Sequence, residues 1–94
     1  MRTYLAKIEW QVLGLSGYKH FEDEYFLEIL ESLDKKCQII DFSCCGEFVY
    51  FEIVFETRSL SEAKELTQKY TQESFVSVLK SSDMLLIEIE VKQI

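Results

Sequence analysis

Apolar side chains occupy both parities of residues 47–56, whereas elsewhere they alternate with polar ones or recur every three to four residues. In 47–56 one parity carries Val49, Phe51, Ile53 and Phe55; the other carries Phe48, Tyr50 and Val54, broken by Glu52 and Glu56. A strand that is apolar on both faces belongs in the middle of a sheet. Residues 3–13 alternate, with Tyr4, Ala6, Ile8, Trp10 and Val12 on one side. Thr3, Lys7, Glu9 and Gln11 share the other side with Leu5 and Leu13, so a first strand with one buried face is predicted. Gly14 and Ser16-Gly17 end it.

The period then changes. Phe21, Tyr25, Phe26, Ile29, Leu30 and Leu33 follow helical spacing, while Glu22, Asp23, Glu24, Glu28 and Glu31 fill the opposite face. Acids lead this helix and Lys35-Lys36 follow it, as the helix dipole favours. A second strand is expected over 37–44, with Ile40, Phe42 and Cys44 on one parity. Its tight Cys45-Gly46 link requires antiparallel pairing with the strand that follows. Ser59 and Glu62 have capping-box spacing, and Leu60, Ala63, Leu66 and Tyr70 form the stripe of a second helix ending near Gln72. Residues 75–79 read either as a short strand hairpinned to the last one or as an extension of the second helix; the lack of strong helix formers favours the strand, and a turn follows over 80–83. The last strand, 84–92, is expected to turn Leu85, Ile87, Ile89 and Val91 inward and Glu88, Glu90 and Lys92 outward.

The order strand, helix, strand, strand, helix, then one or two strands is the βαββαβ pattern of an α+β, ferredoxin-like split βαβ fold, with an extra C-terminal strand where 75–79 is extended and none where it continues the helix. Residues 1–94 form a single domain, because the chain is too short for a second core. The expected antiparallel sheet has both helices on one face and the first and third strands in the centre. Ile8, Trp10, Phe51 and Ile53 then meet the helices in the core.

Charge narrows the function. Ten basic against 17 acidic residues give a net charge of −7, which disfavours direct nucleic-acid binding through the phosphate backbone. Phe48 and Tyr50 on an open sheet face suggest base stacking, but the acidic surround opposes it. No apolar run reaches membrane-span length and no signal peptide is read, so a cytoplasmic protein without a membrane partner is expected. An odd three cysteines fit a reducing compartment.

Catalytic and metal chemistry find little support. His20 is the single histidine, with no nucleophile or carboxylate spaced to pair with it, and reads as incidental. Cys37, Cys44 and Cys45 lack zinc-ligand spacing and have acidic neighbours, so buried or half-buried structural thiols are expected. The Gly14–Gly17 turn precedes a helix whose acidic start repels phosphate. Acylphosphatases share the topology, but need an arginine in the loop after the first strand, where this chain offers only Lys19. No enzyme activity, cofactor or metal is expected.

Two surfaces remain. The open sheet face is expected to gather Leu5, Leu13, Phe48, Tyr50, Val54, Met84 and Leu86, an apolar patch suited to a homodimer or another protein. The acidic helix face of Glu22, Asp23, Glu24, Glu28 and Glu31 suits a protein partner with a basic surface. In size, charge and class the chain resembles phage-encoded inhibitors such as anti-CRISPR proteins, and antitoxins and immunity proteins, with no shared motif. The expectation is therefore a non-catalytic, homodimeric binding module that inhibits or regulates a larger protein. The alternative is a ligand-sensing domain holding a small metabolite near residues 14–19.

Overall fold

In a computed structural model, which describes residues 1–13, 26–79 and 83–94, the elements run as predicted up to the second helix. They are β1 (Arg2–Val12), α1 (Phe26–Asp34), β2 (Gln38–Cys45), β3 (Phe48–Thr57), α2 (Leu60–Leu79) and β4 (Met84–Gln93). One antiparallel sheet has the order β2-β3-β1-β4, so β3 and β1 are central and the split βαβ arrangement is the one expected. β3 sits between two strands, with one face buried against the helices and the other half-buried on the open side of the sheet. Gly46 makes the β2–β3 link with a positive φ of 60°, a conformation that costs glycine nothing and a side-chain-bearing residue about 1 kcal/mol or more.

The core lies between the sheet and the helices. Tyr4, Ile8, Trp10, Val49, Phe51 and Ile53 meet Ile29 and Leu33 of α1 and Ala63 and Phe75 of α2, all of them buried. Phe51 lies at its centre, 5.0 Å from the Phe42 ring and edge-on to Phe75 at 5.8 Å. Lys36, just past α1, donates to Glu73 at 2.9 Å and lies 5.4 Å from the Tyr70 ring centre, linking the two helices.

The second helix departs from expectation. Residues 75–79 continue α2, the less favoured of the two readings, and form no strand, so the sheet has four strands among the described residues. The buried face of α2 is Ala63, Thr67, Thr71, Ser74 and Phe75, a stripe at helical spacing made mostly of hydroxyl-bearing residues. Each hydroxyl is satisfied within the helix: Thr67 donates to the Ala63 carbonyl at 2.7 Å, Thr71 to Thr67 at 2.8 Å and Ser74 to Tyr70 at 2.8 Å. Anchoring Phe75 in the core outweighs the weak helix propensity of the residues after it. Leu60, expected on the stripe, is instead exposed. At the start of α2 the Ser59 hydroxyl accepts from the Glu62 amide at 3.2 Å, as an N-cap does. The Glu62 carboxylate does not complete the capping box; it accepts a hydrogen bond from the buried Thr57 hydroxyl.

Two bulges redirect side chains. Trp10 pairs with Leu86 and Glu9 with Glu88, leaving Ile87 as an extra residue in β4. The expected period of two therefore breaks at Ile87. Met84, Leu86, Ile89 and Val91 share the helix side of the sheet, while Leu85 crosses to the open side at 52% exposure. Ile40 is likewise passed over between the Ile39–Ile53 and Asp41–Glu52 pairs of β2 and β3. Ile39, Phe42 and Cys44 thus face the helices, and Ile40 does not join them as its parity predicted. Replacing Ile87 by threonine is expected to change stability by less than about 0.5 kcal/mol, whereas Ile89→Thr costs roughly 1 kcal/mol or more. Urea denaturation of the two variants checks this; equal losses would restore the regular strand.

Candidate partner-binding face

Because both helices lie on one side, the other face of the sheet is left to its own side chains. The register sets them in rows across the four strands. One row reads Asp41, Glu52, Lys7, Glu90, and the next reads Ser43, Tyr50, Glu9, Glu88. Carboxylates from every strand therefore converge on the middle of the face. Lys7 is set between Glu52 and Glu90, with its Nζ 3.9 Å from the Glu52 carboxylate. Glu9 and Glu88 stand directly opposite each other, a like-charge pair that destabilises a sheet.

The side chains of Lys7, Glu9, Tyr50, Glu88 and Glu90 line a shallow depression of about 220 Å3. Tyr50 donates a long hydrogen bond of 3.5 Å to Glu52. Burial, then the charge of Glu52, pushes its phenol above the ordinary tyrosine range, so it stays protonated as a donor at neutral pH. Apolar residues bracket this acidic band. Leu5 and Val54 pair on one side, half-buried, and Phe48, 44% exposed, lies on the other beside Gln11 and Leu85.

The predicted apolar patch is thus corrected in composition. Leu5, Phe48, Tyr50 and Val54 do share the open face. Leu86 does not: it pairs with Trp10 on the helix side, and Met84 pairs there with Val12. Leu85 takes the place expected of Leu86. The charges run through the centre of the face and not merely around its rim.

On the second predicted surface, Glu28 and Glu31 are exposed on α1. Glu22, Asp23 and Glu24 lie outside the described residues, as do His20, Lys19 and the 14–19 region proposed for a metabolite. The cysteines divide. Cys37 is buried, and its burial together with Asp34 raises the thiol to about 11, which leaves it a poor nucleophile at neutral pH. Cys44 is half-buried, but Cys45, expected to be at least half-covered, is exposed on the open face opposite Phe48. Among the described residues no three His, Cys, Asp or Glu side chains are grouped to hold a metal ion, and no helix is long and apolar enough to cross a membrane.

Comparison with solved structures supports the fold. MupZ from Pseudomonas fluorescens is 15% identical with a TM-score of 0.55, over 97% of this chain and 71% of its own. A REP-associated tyrosine transposase bound to a REP hairpin is 7% identical with a TM-score of 0.55, over 99% of this chain. This chain spans 56% of that protein's length. A NIPSNAP-like domain protein from Burkholderia xenovorans is 16% identical over 98% of this chain and 83% of its own, with a TM-score of 0.40. No family model and no curated protein matches the chain. The likeness to MupZ and to the transposase extends to the fold and no further, and that to the NIPSNAP-like protein, at its lower score, carries no argument.

Proposed function

We propose that this protein is a non-catalytic binding module whose open sheet face docks a basic surface of a larger protein and thereby inhibits or regulates it. The observation that carries the reading is the facing pair Glu9 and Glu88, at the centre of a carboxylate band drawn from all four strands. That arrangement costs stability in the isolated chain, and cations supplied by a partner relieve it. Phe48, Leu5 and Val54 on either side of the band supply the apolar contact that a purely electrostatic encounter lacks. Tyr50 adds a hydrogen-bond donor beside the acids. A partner of this kind is what an inhibitor of a nucleic-acid-binding protein meets, which is the anti-CRISPR, antitoxin or immunity-protein mode of action. Long-range attraction speeds such an encounter and weakens with salt.

A homodimer formed by stacking two open faces is the second reading, favoured by the exposure of Phe48 and Leu85. It sets the carboxylate bands of two copies against each other with only Lys7 and Lys92, among the described residues, on each face to offset them. Salt therefore strengthens such a dimer and weakens a basic-partner complex.

The test is affinity capture from the native host, with partners identified, followed by binding measurements on the purified pair. Glu9→Lys with Glu88→Lys is expected to weaken binding at least roughly tenfold, while Glu28→Lys with Glu31→Lys changes it little. The reverse ranking moves the function to the helix face. Light scattering on the protein alone completes the test: a dimer that tightens with salt and is lost in Phe48→Asp establishes the homodimer instead.

A further inference from the structure

A second surface lies on the opposite side of the sheet edge. Between α1 and β2 runs an open trough of about 430 Å3. Its walls are Leu27, Leu30, Ile39, Ile40 and Phe42, all apolar. Leu27 is 61% exposed and Ile40 51%, although each stands beside other apolar groups that could have covered it. The bulge in β2 accounts for Ile40: with regular pairing its neighbours would alternate in and out, whereas the extra residue leaves Ile39 against the core and Ile40 standing at the strand edge.

The border of the trough has one sign of charge. Glu31 and Asp34 of α1 line one wall and Asp41 lies on the β2 side, with no basic side chain in the lining among the described residues. Of the two lysines that follow α1, Lys36 is turned toward α2, where it is held by Glu73 and the Tyr70 ring, and Lys35 is exposed beside Asp34. An apolar floor under an acidic border selects a definite kind of occupant. Apolar surface rimmed by charge marks a protein contact, and carboxylates on the rim repel the anionic headgroups of a membrane surface.

We propose that the α1–β2 trough binds a short protein segment in which bulky apolar residues are flanked by lysine or arginine. The apolar side chains fill the space between Leu27, Leu30 and Ile40, and the basic ones pair with Glu31, Asp34 and Asp41. The two sites meet at the edge residue Asp41, but Leu27, Leu30 and Ile40 belong to the trough and not to the open-face rows, so substitutions there test the trough by itself. Together they give one chain two acidic contacts on different sides of the β2 edge.

The probe is a fluorescent peptide of about twelve residues that combines leucine and isoleucine with lysine, compared with a peptide of equal charge in which serine replaces the apolar residues. The first peptide is expected to bind at least roughly tenfold more tightly than the second. Leu27→Ser and Ile40→Ser, at exposed positions that leave the fold intact, are each expected to weaken it severalfold. Glu31→Gln with Asp34→Asn does the same at low salt and little at high salt. Amide NMR shifts on titration should cluster at Leu27, Leu30, Ile39, Ile40 and Phe42. Equal binding of the two peptides overturns the proposal, because charge alone then accounts for it. Shifts clustered at Lys7, Tyr50 and Glu88 also overturn it, and assign the peptide to the sheet face. So does a dimer of the free protein that Leu27→Ser converts to monomer, since a second copy is then the occupant.

Discussion

Replacing Phe51 by alanine is expected to remove about 3–5 kcal/mol of folding stability. A domain of this size has roughly 5–15 kcal/mol in total, so the variant should lie close to the unfolding threshold. The ring is completely buried and touches aromatic rings from two other elements, Phe42 of β2 and Phe75 of α2. Its removal leaves a cavity that neither neighbour can fill without leaving its own position, because β2 and α2 are held by the sheet and the helix ladder respectively. Phe48→Ala, three residues earlier on the same strand, is the internal control. Its ring is exposed on the open face, and its loss should cost less than about 1 kcal/mol. Urea denaturation followed by circular dichroism measures both. A loss below roughly 1.5 kcal/mol for Phe51→Ala would falsify the placement of this side chain at the centre of the core.

Thr71→Val is expected to cost about 1–3 kcal/mol, although valine has the same shape and is more apolar. The Trp10 indole N–H donates to the Thr71 hydroxyl at 2.8 Å, and that hydroxyl in turn donates to the Thr67 carbonyl at 2.8 Å. Valine leaves the indole N–H buried without an acceptor, and the cost of that orphaned donor exceeds the gain from an extra methyl group. Trp10→Phe removes the donor as well, so the double variant should be more stable than the sum of the two single losses predicts. Strict additivity in that cycle would show that the two groups do not interact. Trp10 is the only tryptophan, and a shift in its emission on Thr71→Val gives an independent reading of the same contact.

The hydroxyl stripe of α2 and the carboxylate rows of the open face play opposite parts. The stripe buries polar groups but satisfies each of them inside the protein. The open face keeps like charges adjacent across β1 and β4, where Glu9 stands opposite Glu88 and, among the described residues, Lys7 is the cation lining the same depression. The second arrangement is the one on which the proposed binding role rests.

Strand pairing and the sheet order were legible in the residues. The two apolar parities of β3 placed it in the centre, the alternation of β1 placed its buried face, and the short link at Gly46 made β2 and β3 antiparallel. These inferences hold because burial and connection length act over a few neighbouring residues, and the chain writes them locally. Most of the open face was legible for the same reason, through Leu5, Phe48, Tyr50 and Val54.

Three features were decided by tertiary structure. The last turns of α2 look unlike helix, and their buried stripe of threonine and serine carries no apolar periodicity; only docking Phe75 beside Phe51, and Thr71 beneath Trp10, makes it a core face. The exchange of Leu85 for Leu86 follows from a bulge at Ile87, which no local pattern marks, because a bulge is a property of two paired strands and not of one. The α1–β2 trough needs Ile40 and Leu27, thirteen positions apart, to be brought to one edge. Residues 1–94 thus determine by themselves which segments pair and which faces are apolar. Which side chain finally stands on which surface is settled where strands slip by one residue and a helix gains its partner, since only the assembled fold can compare those energies.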